Sequence, residues 1–175
     1  MSEPNRYYGL YSGTVVNNVD LMQTGRIMVT VPDVGGITPS TWAKPCVPFS
    51  GKQMGAFMVP QVGAAVWVQF EGGDPDKPVW TGCSYGTVAE VPVTALAGVP
   101  GAPNIVLQST LQNALIISDL PGPAGGVTLC AGPIASPSSP RIMVTQVGIV
   151  ITNGVATISV VGPSVNINNG ALVVV

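Results

Sequence analysis

Asp74 and Asp76 are the closest pair of carboxylates in this 175-residue chain, and neighbouring carboxylates can divide the acid and base roles of a hydrolase. They sit in Glu71-Gly-Gly-Asp-Pro-Asp-Lys-Pro78, an ordinary Asp-Pro turn with no histidine, metal-ligand cluster or nucleophile beside it, where Lys77 balances their charge. The whole chain lacks histidine, which removes ordinary imidazole chemistry. Cys46, Cys83 and Cys130 form an odd set without CxxC spacing and read as small buried apolar residues of a protein assembled in the reducing cytoplasm. Gly51-Lys52 lacks the preceding glycine and following Ser/Thr of a phosphate loop. Trp42, Trp67 and Trp80, with Tyr7, Tyr8 and Tyr11, could stack bases, but residues 1–86 carry five Lys/Arg against six Asp/Glu. Without a basic groove these aromatics are expected in core and interface. No catalytic, cofactor-binding or metal residue is assigned.

The elements around these residues are strands. With 22 Gly, 17 Pro, 46% apolar and 8% charged residues, the chain is too apolar for disorder and too rich in breakers for helices. An all-β fold remains. Strands are predicted over Tyr8 to Val16, Gly25 to Pro32, Trp42 to Phe49, Ala64 to Glu71 and Pro78 to Cys83, with Ala64, Val66, Val68 and Phe70 on one face. Five strands of this size suit an OB-type barrel over residues 1–86. Residues 87–103, rich in Ala, Val, Pro and Gly, read as a linker. The N-terminal Met-Ser-Glu-Pro-Asn-Arg has no apolar core behind its charge and is not expected to be a signal peptide.

From Asn104 onward, Asp119 and Arg141 are the only charged side chains. Apolar i, i+2 pairs recur at Ile105/Leu107, Leu115/Ile117, Val127/Leu129, Ile142/Val144, Ile149/Ile151, Ile158/Val160, Val165/Ile167 and Leu172/Val174, each the expected buried face of a short strand. Val144, Ile151, Ile158, Val165 and Leu172 are seven apart, with turn residues between them, so a β repeat is preferred to a coiled coil. The stretches Leu120 to Gly126 and Ala131 to Pro140 are read as loops bulging from the same stack.

Nothing in the sequence would cover these faces within one chain. Each large apolar side chain contributes roughly 1.5–3 kcal/mol when buried, so leaving about ten of them wet would exceed the roughly 5–15 kcal/mol that holds a domain together. Residues 104–175 are therefore expected to fold by winding around copies of themselves, each strand pairing with strands of other chains, with Val144, Ile151, Ile158, Val165 and Leu172 in the shared core. Three chains give the simplest prism that its side chains can fill.

The segment from Met58-Val-Pro-Gln-Val-Gly through Ala-Val-Trp-Val-Gln-Phe-Glu-Gly-Gly-Asp-Pro-Asp-Lys-Pro-Val-Trp-Thr-Gly82 resembles the OB barrel of phage baseplate assembly protein V and valine-glycine-repeat spike proteins. Gly25-Arg-Ile-Met-Val-Thr-Val-Pro32 is similar to that barrel's opening strands. The resemblance implies a homotrimeric central spike of a contractile injection machine, in a phage tail, bacteriocin, secretion apparatus or extracellular injection particle. It implies that the barrels form a collar on a separate hub and tube, and that an intertwined trimeric β-helix over residues 104–175 punctures the target envelope mechanically. The chain has no segment for a lysozyme insert and no histidines for an iron-binding tip. The repeat runs out at Gly170-Ala-Leu-Val-Val-Val175 without a polar cap. A tip protein like those of the proline-alanine-alanine-arginine (PAAR) family is therefore expected on Leu172, Val173, Val174 and Val175. No nucleic-acid partner or cofactor is expected. The rival readings are a free-standing OB-type nucleic-acid-binding protein and a tail-associated hydrolase.

Overall fold

The computed structural model describes residues 5–174, the side chain of Val173 excepted. The chain divides into two compact units, Met1–Val88 and Ala89–Val175.

In the first unit, β1 (Tyr11–Asn17), β2 (Met28–Thr30), β3 (Lys44–Pro45), β6 (Ala65–Phe70) and β7 (Pro78–Ser84) form one sheet in the order β2-β1-β6-β7-β3. The sheet curls until its ends meet: Ile27 and Ala43 exchange backbone hydrogen bonds of 3.1 and 2.7 Å just before β2 and β3. That contact makes it a small barrel. Its core is Val15, Ile27, Val29, Val31, Ala43, Val66, Val68, Phe70 and Trp80, and includes three of the four residues expected on one face of β6. Ala64, the fourth, packs against the edge of that cluster.

Two of the predicted strands are much shorter than expected. The second is cut to three residues because Gly25 has φ +81° and Pro32 opens the short helix α1 (Pro32–Gly35). The third is cut to Lys44–Pro45, because Pro45 and Pro48 cannot donate to a ladder. A small hairpin follows, β4 (Ser50–Gly51) and β5 (Met54–Gly55), turning at Gln53 with φ 57°. The cysteine expectation is corrected. Cys130 is buried, whereas Cys46 and Cys83 are exposed, Cys46 beyond Pro45 and Cys83 opposite Val66 near the end of β7, past the bulge at Thr81.

A 3-10 turn at Val88–Glu90 falls at the boundary between the units, and another, Ala95–Ala97, follows in the second unit. Eight strands follow: β8 (Ile105–Gln108), β9 (Ala114–Ser118), β10 (Gly126–Cys130), β11 (Arg141–Val144), β12 (Ile149–Thr152), β13 (Thr157–Val161), β14 (Ser164–Ile167) and β15 (Leu172–Val174). They form one antiparallel sheet in strict chain order. All eight apolar pairs fall inside these strands, and the two long loops lie between β9 and β10 and between β10 and β11.

Within the chain each inner strand is hydrogen-bonded on both sides to its sequence neighbours, and the open edges are those of β8 and β15. Short turns such as Asn153 to Ala156 and Gly162-Pro163 lay each strand alongside the next.

Candidate assembly interface

Register converts the eight apolar pairs into two continuous columns on one face of the sheet. Leu107, Leu115, Leu129, Ile142, Ile151, Ile158, Ile167 and Leu172 are linked neighbour to neighbour through the ladders, and so are Ile105, Ile117, Val127, Val144, Ile149, Val160, Val165 and Val174. The first column is entirely Leu and Ile. The second is mostly Val.

The five residues singled out from their seven-residue spacing share this face but not one column. Ile151, Ile158 and Leu172 belong to the Leu/Ile column, and Val144 and Val165 to the Val-rich one. Seven-residue spacing samples both columns because alternate strands reverse direction. It missed the other eleven members, which the i, i+2 pairs had already marked. Within one chain the face is uncovered, with thirteen of the sixteen side chains between 37 and 65% exposed. The opposite face carries Thr128, Met143, Val150, Ser159 and Asn166, while Ile116, Ser118 and Cys130 on that face are buried.

A groove of about 800 Å³ runs along the Leu/Ile column. Leu115, Leu129, Ile142, Ile151, Ile158 and Ile167 line its floor, and the turns at Asn113, Pro140, Asn153 and Asn168 wall it. Those turns are held by their own polar side chains. Asn153 Oδ1 accepts from the N–H groups of Val155 and Ala156 at 3.0 and 2.7 Å, Asn168 Oδ1 from Thr157 N–H at 3.0 Å, and Asn113 Oδ1 from Gly132 N–H at 2.9 Å. Arg141 is turned into the 131–140 loop, where its guanidinium donates to the carbonyls of Ile134, Ser136 and Ser139. At the far end, Leu172 and Val174 stand exposed on the outermost strand. Val173 is in the same strand, and Val175 lies outside the described residues.

On the barrel, Asp74 accepts from Asp76 N–H at 3.1 Å and pairs with Lys77 at 3.2 Å. Those contacts hold its carboxyl below the usual range, whereas a general acid needs a raised pKa. Trp80 is buried, its indole N–H donating to the Gly25 carbonyl at 3.1 Å. Trp42 lies under the Arg26 guanidinium at 5.5 Å, and Tyr11 packs edge-on with Tyr7 and with Phe70, while Tyr7 lies tilted against Phe70. Arg26, Lys44 and Lys77 are each engaged by a carboxylate, those of Asp20, Glu71 and Asp74. No helix among the described residues is long and apolar enough to cross a membrane.

Residues 11–85 match the type VI secretion system/phage-baseplate injector OB domain, and residues 104–173 match the phage baseplate V C-terminal trimerisation domain. Among curated proteins, the chain is 42% identical over 53 residues to the type VI secretion system spike protein VgrG5 of Pseudomonas aeruginosa, covering 30% of this chain and 7% of that one. It is 32% identical over 74 residues to the actin cross-linking toxin VgrG1 of Vibrio cholerae, 40% of this chain and 7% of the relative, and 41% identical over 46 residues to the spike protein VgrG3 of the same species, 26% and 4%. The chain thus matches only a small part of each relative's length. With both domains matched in chain order, on a small barrel and on a β meander with one open apolar face, this chain belongs to the baseplate V and VgrG family of contractile-injection spike proteins.

Proposed function

We propose that three copies of this chain form the central spike of a contractile injection machine and that their joined meanders act as a stiff needle. The observation that carries this reading is the uncovered double column. Sixteen aligned apolar side chains on a nearly uncharged unit form a face that a monomer would leave in water, and its polar edges carry no like charges to repel an identical copy. Three such sheets close into a prism with the columns inside. Residues 1–86 then serve as the barrel, 87–103 as its connection and 104–175 as the needle.

In this reading the barrel docks on a separate hub and the tube above it. Support comes from the large apolar side chains that the barrel leaves exposed, among them Leu21, Met22, Phe49, Phe57 and Met58. A PAAR-like tip protein sits on Leu172, Val173, Val174 and Val175, where the outer edge of β15 offers unpaired backbone groups. The assembly forms in the cytoplasm, becomes part of a tail or particle baseplate, and crosses the target envelope under the work of sheath contraction. No catalysis is required of it. Light scattering combined with electron microscopy of the purified full chain tests this directly: the expected particle is a trimeric rod with a knob at one end, and a folded monomer with full β content refutes it.

A further inference from the structure

The two columns differ in size, and only one of them has a groove. The Leu/Ile column lies in the groove floor along β9 to β14, and no member of the Val-rich column lines that groove. Turns at the Leu/Ile end of the strands are built up into a wall, the longest being the 131–140 loop stitched by Arg141. At the Val-rich end, β9 to β10 turns through the loop Asp119 to Gly125, whereas β11 to β12 and β13 to β14 turn through short segments, Thr145 to Gly148 and Gly162-Pro163. From β11 onward one margin of the sheet is a bulky trough and the other is slimmer, with the same strand spacing.

We infer that each copy seats its Val-rich column in the Leu/Ile groove of the next copy, so that the joint between chains is always unlike with unlike. This rests on the trimeric reading above and specifies how the copies meet. A closed ring of identical subunits around a single axis needs a head-to-tail contact between two different patches, and these two columns supply such a pair on one face. Their length and spacing match because both belong to the same strands. Large side chains facing small ones fill the joint at close-packed density, whereas Leu/Ile against Leu/Ile would overpack and Val against Val would leave voids. The columns themselves carry no charge. The two charged side chains from Asn104 onward lie at opposite margins, Arg141 at the groove wall and Asp119 at the Val-rich end, so along the columns the fit is decided by shape. Like columns have no pairwise joint in this arrangement.

Two differently tagged full-length chains, both with Cys46→Ser and Cys83→Ser, test the joint when co-expressed. One carries Ile151→Cys. The other carries Val144→Cys, Ile149→Cys or Val160→Cys, the Val-rich positions at and beside the same level. Mild oxidation is expected to give at least about tenfold more disulfide-linked mixed-tag dimer in the best pairing than any chain gives alone, because disulfides form only across Cα separations of roughly 4.4–6.8 Å. If scattering shows a trimer but the single variants cross-link as readily as the mixtures, or no mixture cross-links, the joint is wrong and the trimer stands. A monomer by scattering overturns both. Reduction restoring all species to single chains identifies the link as the disulfide.

Discussion

Arg26 closes on Asp20 from six residues away, with Nη2 2.6 Å and Nε 3.2 Å from the same carboxylate oxygen. The carboxylate also accepts from the N–H groups of Met22, Thr24 and Arg26 and from the Thr24 hydroxyl. One acid therefore organises the whole connection between β1 and β2, and it leaves Arg26 stacked over Trp42.

Asp20→Asn is expected to lower the melting temperature of the barrel and to remove part of its acid sensitivity. The Arg26 hydrogen bond, assisted by Thr24 and Met22, outweighs desolvation and holds the Asp20 carboxyl far below its ordinary range. A depressed carboxyl contributes stability that is complete above the unfolded value, near 4, and fades as pH falls toward the folded one. Thermal melts from pH 7 down to pH 2 should show wild type losing more stability than the variant. Parallel curves would refute the role.

Ile27→Ala is expected to cost about 2–5 kcal/mol of barrel stability, since Ile27 is fully buried beside the contact that closes the sheet. Trp80→Phe should cost about 1–3 kcal/mol by leaving the buried Gly25 carbonyl without its donor. Urea unfolding followed by barrel fluorescence measures both, using Trp42 and Trp67 as the remaining probes in the second variant.

Ile158→Asp, on the Leu/Ile column, is expected to abolish assembly. Each chain forfeits roughly 1.5–3 kcal/mol of apolar burial and must also bury a carboxylate in the joint. Ser159→Asp, one residue on and facing the other way, should leave assembly intact. Sedimentation of the two variants separates the outcomes, and equal behaviour would mean that the apolar face is not the interface.

Gly148→Ala is expected to destabilise residues 104–175 by about 1–3 kcal/mol, because the new methyl would collide with the Val160 carbonyl oxygen across the β12–β13 ladder. The strands must part or slip to admit it. Loss of amide protection in β12 and β13, with the barrel amides unchanged, would locate the damage.

Arg141→Met should release the 131–140 loop, removing three charge-assisted hydrogen bonds of which each is worth about 1.5–3 kcal/mol at most. Limited proteolysis is expected to cut this variant between Ala131 and Pro140 while wild type stays whole.

Much of this molecule was legible because its signals are local. Alternation along Ala65–Phe70 marked a half-buried strand, and Val66, Val68 and Phe70 are inside. The shortened strands at Met28–Thr30 and Lys44–Pro45 were overestimated because prolines and a positive-φ glycine act on single hydrogen bonds, which apolar pattern does not report. Asp20 was overlooked as the centre of its loop because its donors are mostly backbone N–H groups, which any sequence has. Cys46 and Cys83 were misplaced because small apolar character does not report where a strand runs out, and both lie at or just past a strand's end.

The sequence by itself determined that residues 104–175 alternate with period two, carry almost no charge and need an external partner for one face. Period two assigns a side chain to a face and goes no further. Which residue lies beside which, and so the separation of a Leu/Ile column from a Val-rich one, was decided only by the register of seven antiparallel ladders. The groove likewise depends on turns from distant parts of the chain lining up along one margin of the sheet, a juxtaposition that exists only once the backbone hydrogen bonds are made.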